Sequence, residues 1–328
     1  ARVWTNSDRL FTWMLRHLPF IRKDFANVRS DEYPIRLWTV AVFLFGALPI
    51  LKKRGVGRLL IGDEYDTTER ATFKGITHYN GLFDQSRYFD DAMSAYFRRK
   101  GWNISQFSML RPSSEMLIEK TLATRYPDLL ALQTSCHAAH KDGDRIRPCG
   151  KCEKCRRIVG MLAATEKDPR TCGFTDKQIE DCLEALVDKG VHQELAAVRH
   201  MGYLLHSKGK VSGPSLGRVK AHPVPEVMKL RFDRVRSPMN AVPRDLRTPL
   251  YRILREESDG AVMRVGRIWV DCNPLTDPDA SLPFRFESDS TTSVVAEEKR
   301  LAQKVLLGEL TWQQAEIRFR QVDVALLP

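Results

Sequence analysis

The sequence predicts an α/β protein built on a doubly wound, mostly parallel sheet. Three observations support this fold class. The chain has 328 residues, of which 43% are hydrophobic and 28% charged, which is typical of a globular protein with a sizeable core. Segments with helical and strand-like patterns alternate through its first 130 residues or so. The strand-like segments are short and apolar, as in sheets covered by helices on both faces.

Two helices begin this alternation. Apolar residues at helical spacing predict a helix over residues 8–27, with Asn6 or Ser7 as its cap. The apolar run 37–51 predicts a second, buried helix, with Pro34 in its first turn. A bilayer span needs roughly 20 apolar residues, so we predict no transmembrane segment. The N-terminus also lacks the pattern of a secretory signal.

The alternation continues with a strand at Arg58–Ile61. Gly62, Asp63 and Glu64 fall at its carboxyl end, which is where open α/β sheets bind their ligands. An amphipathic helix, a strand and another helix are predicted next, over residues 86–100, 103–110 and 111–126.

The second half of the chain is predicted to be mixed. Two or more helices follow the cysteine-rich segment, and a Gly-, Pro-, Ser- and Lys-rich stretch then indicates a linker that begins near Lys208. Beyond it we predict a short strand within 261–270, a Pro- and Asp-rich loop, and a helix from about Ser293 to Arg320. We predict two domains. The first is an α/β domain over residues 1–207, which contains the zinc-binding segment 136–155. The second, residues 208–328, is a basic linker with a small C-terminal region of unknown role.

The cysteines give the most specific functional signal. Cys136 is followed by Cys149-Gly-Lys-Cys152-Glu-Lys-Cys155, and four thiolates with Cys-x-x-Cys spacing match the tetrahedral coordination of zinc. Such a closed site has no open position, so we expect it to stabilise the fold rather than activate water. The chain has seven cysteines, an odd number, and three of them lie within Cys149–Cys155. This clustering favours metal binding over a disulfide framework, and hence a cytoplasmic location.

Several alternatives to this zinc site stay open. Because Cys152 belongs to two overlapping Cys-x-x-Cys turns, an Fe–S cluster is one of them, and ordinary buried thiols are another. His137 or His140 is able to replace a cysteine ligand, although each is expected in a loop or hydrogen-bonded to a ligand. The remaining thiols are predicted to be packing residues: Cys172, Cys182 and Cys272.

The segment around these cysteines resembles a known zinc segment. Ser135-Cys136 followed by Cys-Gly-x-Cys-x-x-Cys is similar to the 7-cyano-7-deazaguanine synthase group of the PP-loop ATP pyrophosphatases. The ATP-dependent UDP-N-acetylmuramoyl-L-alanyl-L-glutamate epimerases are similar over a longer stretch. This resemblance covers roughly residues 1–205 and depends on three motifs that occur in the family's order. They are Gly62-Asp63-Glu64, a Leu-Arg-Pro-Ser-Ser-Glu segment at 110–115, and the cysteine cluster.

The resemblance implies an adenine nucleotide alpha hydrolase-like fold and an enzyme, ligase- or epimerase-like, that adenylates a carboxylate or carbonyl oxygen with ATP and Mg²⁺. The family's Ser-Gly-Gly-x-Asp-Ser phosphate loop is absent from residues 1–328, and the Gly-rich segment 212–217 follows no strand. Since the chain begins at Ala1, we expect this loop to be supplied upstream. A member that has lost ATP binding is the alternative.

The motifs provide candidate site residues. Gly62, Asp63 and Glu64 are expected to line the nucleotide or magnesium site, with capping of the next turn as the alternative for the two carboxylates. A strand-to-helix junction is predicted to bind substrate, through Arg111, Ser113, Ser114 and Glu115. Helix capping is the alternative for Ser113 or Ser114, and the Glu115 carboxylate would then interact favourably with the dipole at the helix N-terminus. Weaker phosphate candidates are Arg36, Arg70 and Arg87, and no catalytic residue is assigned.

The uneven charge leads to a second functional hypothesis. The net charge is +11, and residues 208–267 contain 14 Lys and Arg against 6 Asp and Glu. A non-enzymatic zinc protein that binds nucleic acid through this stretch is therefore the alternative to an enzyme. Few aromatic residues lie near it for base stacking: Phe232, Tyr251 and Trp269. For the enzyme hypothesis, the expected partners are ATP and a small-molecule or nucleotide-linked substrate. We expect no membrane association, and a homodimer stays open.

Overall fold

The computed structural model describes residue 9 and residues 39–287, except 56, 74, 80–82 and 137. Several sequence predictions therefore lie outside the described residues: the helices at 8–27 and 293–320, Arg36 and His137. The chain divides into two compact units. Their described parts are residues 39–61, 67–108 and 284–287 in the first unit, and residues 62–66 and 109–283 in the second.

The described ranges of the first unit contain two α-helices and two small sheets. The predicted strand at Arg58–Ile61 pairs in parallel with the predicted strand at Ser105–Ser108, with Arg58 opposite Ser105. An antiparallel hairpin that the sequence pattern did not reveal lies between them. The elements are α1 Thr39–Lys53, β1 Arg58–Ile61, β2 Arg70–Phe73, β3 Ile76–Tyr79, α2 Arg87–Arg99 and β4 Ser105–Ser108.

The core of the first unit lies where α1, α2 and the parallel strands pack together. Its buried residues are Ala41, Leu44, Leu48, Leu59, Phe89, Met93, Phe97 and Ile104. Ser86 caps α2 by accepting a hydrogen bond from the N–H of Phe89. Asp84 accepts the N–H groups of Val40 and Ala41 at the start of α1, at 2.9 and 3.2 Å. Both helices thus have partners for their first amide groups.

The second unit begins with helices around the cysteine segment. The predicted helix after the Leu-Arg-Pro motif is confirmed, with Ser114 as its cap, and three further helices follow the cysteines. The buried faces of these helices form the largest core cluster, which includes Val159, Met161, Leu162 and Leu186. The elements are α3 Glu115–Arg125, α4 Pro127–Leu130, β5 His140–Asp142, β6 Arg145–Arg147, α5 Glu153–Ala164, α6 Asp176–Lys189 and α7 Leu195–Ser207.

The same unit continues through the segment that was predicted to be a linker. The boundary expected near Lys208 falls inside this unit, because residues on both sides of it belong to the same compact body. The single strand predicted within 261–270 is instead two strands, since Gly266 takes φ 61° and turns the chain back. The elements are β7 Ser215–Leu216, β8 Val219–Lys220, β9 Leu230–Phe232, α8 Arg244–Glu257, β10 Ala261–Val265 and β11 Ile268–Asp271.

The described residues form a mixed α/β protein with small sheets. Each sheet has two or three strands, and the three-stranded one has the order β11-β10-β9. The doubly wound parallel sheet therefore stays a prediction. The strand β1, expected in a sheet interior, buries Leu59 but leaves half of Leu60 exposed. No helix in the described part of the chain is long and apolar enough to cross a membrane.

Candidate functional site

The four predicted ligand cysteines lie together in the second unit. The sulfur atoms of Cys136, Cys149, Cys152 and Cys155 are all within 4.8 Å of one another. Their close Sγ to Sγ distances run from 3.5 to 3.8 Å. Four thiolates at about 2.3 Å from one tetrahedral ion would be about 3.8 Å apart. The sulfurs are too far apart for disulfides and stand where ligands of a single metal ion would stand.

The backbone stabilises negative charge on these sulfurs. Cys149 Sγ accepts the N–H groups of Lys151 and Cys152, each at 3.4 Å. Cys136 Sγ accepts the N–H of Cys149 at 3.2 Å. Burial raises the pKa of Cys149, but the N–H groups and neighbouring thiols outweigh it, so the pKa falls to about 7. Such a thiol is readily converted to the thiolate that binds metal.

The turn that carries the cysteines is held by α6. Gly150 takes φ +69°, and a Cβ built on it would lie 2.5 Å from Gln178 Cγ. The Gly150 carbonyl accepts a hydrogen bond from the Cys182 thiol at 3.2 Å. Cys155 lies in the first turn of α5 and is fully buried in the core cluster. A side chain at Gly150 would therefore separate the cysteine turn from the helix that supports it.

The other histidine and cysteines have no part in this cluster. His140 lies on an exposed hairpin strand and does not belong to the group of residues that could hold a metal. Cys172 and Cys182 belong to the largest core cluster, and Cys272 packs against the cluster that includes Leu117, as predicted for packing residues.

The two short motifs of the predicted nucleotide and substrate sites come together. Arg111 is 2% exposed, and its Nη2 lies 3.5 Å from Asp63 Oδ2. Its Nη1 donates to the Glu64 carbonyl at 3.5 Å, and the Tyr65 N–H donates to the Ser113 carbonyl at 3.0 Å. Along the chain, each motif directly follows one strand of the β1–β4 pair. The segments 62–65 and 111–113 thus lie against each other, with Asp63, Tyr65, Arg111 and Ser113 buried and Gly62 exposed.

The two serines of the second motif have different environments. Ser114 caps α3 by accepting the Leu117 N–H, and its hydroxyl donates to the Val227 carbonyl at 2.7 Å. The capping alternative is therefore correct for Ser114. Ser113 is also fully buried, but its hydroxyl has no hydrogen-bond partner among the described residues. Glu115 starts α3 and binds the side chains of Arg157 and Gln193, at 3.4 and 3.1 Å.

The structure adds residues to this site that the sequence motifs did not identify. Arg231 makes a bidentate ion pair with Glu194, at 2.6 and 2.7 Å, and both side chains are buried. The Arg231 guanidinium also lies 4.1 Å from the centre of the Tyr65 ring. Neither Glu194 nor Arg231 belongs to a recognisable motif, so only their three-dimensional placement identifies them. We call this set the carboxylate cluster: Asp63, Glu64, Asp66, Glu115, Glu119 and Glu194, with Arg111, Arg157 and Arg231.

Burial gives the carboxylate cluster an unusual charge state. Burial, and then the nearby Asp66 and Glu115, raise the pKa of Glu64 to about 8. Burial and then Glu194 raise the pKa of Asp66 to about 7, and burial raises that of Glu119 to about 7 as well. If all six carboxyl groups were ionised, the three guanidiniums would leave an excess of negative charge. This excess favours the uptake of protons or the binding of a cation.

Unpaired polar atoms also concentrate in this cluster. Five buried side-chain polar atoms here lack a hydrogen-bond partner among the described residues: Ser113 Oγ, Glu119 Oε1, Arg157 Nε, Gln193 Oε1 and Arg231 Nε. The residues of all five atoms either belong to the carboxylate cluster or adjoin it. Buried polar atoms are normally satisfied, so such a concentration marks a place where a ligand or ordered water binds.

Two of the three weaker arginine candidates, Arg70 and Arg87, and the Gly-rich segment have structural roles. Arg70 donates to the Tyr88 hydroxyl, and Arg87 forms an ion pair with Asp91 at 2.7 Å. In the segment 212–217, Gly217 has φ +57°, and an added Cβ would lie 2.9 Å from the Gly190 nitrogen. This glycine permits a close approach to the end of α6, which explains the Gly-rich composition.

Comparison with protein-family models, curated proteins and solved structures finds no match to this chain. Its function is therefore inferred from the geometry of the site together with the motif resemblance.

Proposed function

We propose that the chain forms the larger part of an ATP-dependent adenylating enzyme of the PP-loop type, with a doubly wound nucleotide-binding sheet and one structural zinc ion. The observation that carries this proposal is the contact between two short motifs. Glu64 and Arg111 lie 47 residues apart in the sequence, yet their segments meet through the contacts of Arg111 with Asp63 and with the Glu64 carbonyl. A merely accidental resemblance would not require these motifs to be neighbours.

The proposed reaction activates a carboxylate or carbonyl oxygen of a small-molecule or nucleotide-linked substrate. The substrate oxygen attacks the α-phosphorus of ATP, a bond to AMP forms, and pyrophosphate leaves. In this scheme the buried guanidinium of Arg111 and the partly buried guanidinium of Arg157 stabilise negative charge on the reacting oxygens. Because Asp63 and Glu115 hold these guanidiniums in place, little reorganisation is needed during the reaction.

The carboxylates of Glu64 and Asp66 are the groups that would hold Mg²⁺ together with the phosphates of ATP. Mg²⁺ in such sites takes one or two carboxylates and completes its shell with phosphate oxygens and water. Burial first, and then neighbouring carboxylates, raise the pKa of Glu64 and of Asp66, and a divalent cation bound there would offset both effects by stabilising the ionised carboxylates. The ion would neutralise charge on the phosphates.

For the cysteine cluster we propose zinc rather than an Fe–S cluster. Sulfur separations of 3.5 to 3.8 Å suit one ion, whereas the irons of a cluster take their thiolates at separate positions. With four thiolates the ion has no open position, so its proposed contribution is to hold residues 136–155 against α5 and α6.

Pyrophosphate release is the direct test. The full-length protein of the natural gene should release pyrophosphate from ATP in the presence of its substrate, with a muropeptide precursor and a deazapurine-like base as the first two candidates. Arg111→Met should lower the rate by about 10²- to 10³-fold, as expected for loss of one buried charge-stabilising donor. The exposed Arg170→Met is the matched control. Failure to bind ATP, together with no release for any candidate, would contradict the proposal.

The nucleic-acid alternative has less support from the geometry. Many cations of the stretch 208–267 have partners within the chain. Lys229 pairs with Asp271, Arg231 pairs with Glu194, and the buried Arg247 donates to the carbonyls of Val242 and Ala280. Charges engaged in this way contribute little to a polyanion surface. A nucleic-acid affinity that falls steeply with salt concentration would restore this alternative.

A further inference from the structure

Two aromatic side chains meet beside the carboxylate cluster. The rings of Tyr65 and Trp269 have centroids 6.0 Å apart and are tilted by 60°. Tyr65 lies between Glu64 and Asp66 in the sequence and is 3% exposed. Trp269 belongs to the edge strand β11 and is half-buried. The segment after residue 208, to which no motif gives a role, thus supplies an aromatic residue to the candidate site.

Three guanidinium groups lie over these two rings. Arg231 and Arg236 are 4.1 and 5.3 Å from the centre of the Tyr65 ring, and Arg264 is 5.1 Å from that of Trp269. Arginine over an aromatic face is a favourable arrangement. Arg231 is 3% exposed, and its Nε lacks a hydrogen-bond partner among the described residues. A buried guanidinium donor without a protein partner is normally satisfied by a ligand or by ordered water.

This combination of groups matches the two halves of a nucleotide. Aromatic rings stack on bases without regard to sequence, and guanidiniums bind phosphate oxygens in bidentate geometry. We propose that Tyr65, Trp269, Arg236 and Arg264 form a nucleotide-binding site, in which Trp269 stacks on the base and the two arginines contact the phosphates. The inference rests on the proposed function, because it places the nucleotide next to the cluster that would bind the metal.

Two nucleotides share this chemistry, the ATP of the reaction and a nucleotide-linked substrate. Calorimetric titration of the full-length protein with ATP and with uridine diphosphate, each with Mg²⁺, distinguishes them. Whichever nucleotide occupies the site should bind Trp269→Ala about 5- to 150-fold more weakly than the parent protein, which corresponds to the loss of one stacked base. Inorganic triphosphate has no base, so its affinity should respond to Arg264→Ala and not to Trp269→Ala.

A matched pair of arginine variants guards against an effect of altered charge or folding. Arg264→Ala should weaken binding of the nucleotide, whereas Arg267→Ala, which removes the same charge from an exposed turn of the same hairpin, should leave the affinity unchanged. Circular dichroism checks that each variant is folded. If Trp269→Ala and Arg264→Ala bind both nucleotides as the parent does, the rings and guanidiniums only stabilise the fold and the inference is overturned.

The inference and the proposed function can fail separately. Pyrophosphate release that is unaffected by Trp269→Ala and Arg264→Ala would overturn the inference for ATP and leave the adenylating function intact. Nucleotide binding that depends on Trp269 without any pyrophosphate release would support the inference and contradict the adenylating function. Absence of binding for both nucleotides and for triphosphate would overturn the inference and count against the function.

Discussion

The cysteine cluster and the carboxylate cluster illustrate two ways in which a chain assembles a polar site. The four cysteines lie within 20 consecutive residues, and three of them belong to one turn and the first turn of α5. The carboxylate cluster draws its members from residues 63–66, 111–119, 157, 194 and 231. Local spacing alone reveals the first site, whereas the second exists only after distant segments have packed.

This difference also determines how each site contributes to stability. A metal ion bound to four nearby thiolates adds its own binding free energy to folding. The carboxylate cluster has the opposite balance, because each buried charge loses its hydration and recovers it only through partners such as the Arg231–Glu194 pair. The first site should therefore be lost all at once when one ligand is removed, whereas the second should respond in steps.

Removal of one cysteine ligand should have the largest effect. Cys152→Ser leaves three thiolates, so we expect bound metal to fall from one equivalent to nearly none and stability to drop by several kcal/mol, out of the about 10–16 kcal/mol with which such sites bind zinc. Metal analysis and denaturant unfolding measure both. Cys272→Ser, outside the cluster, is the control and should keep the metal. Full metal content in Cys152→Ser would contradict the assignment of four ligands.

Disruption of the buried ion pair should have the next largest effect. Glu194→Ala leaves the Arg231 guanidinium buried without its partner, which should destabilise the protein by about 3–5 kcal/mol in denaturant unfolding. The double variant Glu194→Leu with Arg231→Met removes both charges and should recover much of that loss. If the double variant is no more stable than Glu194→Ala, the cost does not come from an unpaired charge.

The sequence predicted local elements well and their assembly poorly. The helices α2 and α3 and the strands β1 and β4 all follow from local patterns, although the cap of α2 at Ser86 was not predicted. The hairpin β2–β3 was missed because its strands, Arg-Ala-Thr-Phe and Ile-Thr-His-Tyr, lack the continuous apolar run that indicated β1. Helix α8, Arg244–Glu257, was missed because Pro249 lies inside it and the surrounding charges resembled a basic linker.

The residues of the candidate site were likewise predicted where they belong to a local motif and missed where only packing brings them in. Asp63, Arg111 and Glu115 were predicted from motifs, and the structure brings them together. Arg231 and Glu194 were not predicted, because a single Arg or Glu in a charged segment usually faces solvent. Their burial comes from the packing of β9 and α7 around Tyr65, which no local pattern in the sequence specifies.

The titration of Glu64 should produce a pH-dependent effect, which is smaller than that of the ion pair over the measured interval from pH 6 to 8. Its pKa is about 8 in the folded protein and 4.5 when unperturbed, so the folded state binds the proton more tightly. The free energy of unfolding should then fall as the pH rises from about 4.5 to 8, by up to about 1.4 kcal/mol per pH unit for this one group. Glu64→Gln should flatten this slope in unfolding curves measured between pH 6 and 8. An unchanged slope would mean that other groups set the dependence.

The smallest effect should come from the two adjacent serines, which separate capping from ligand binding. Ser114→Ala removes the cap of α3 and the hydrogen bond to Val227, so we expect a loss of about 1–2 kcal/mol in denaturant unfolding. Ser113→Ala removes a buried hydroxyl without a partner among the described residues, so its stability should be unchanged or slightly higher. Its substrate affinity should instead fall. Equal destabilisation by both substitutions would mean that the Ser113 hydroxyl is satisfied within the fold and is not reserved for a ligand.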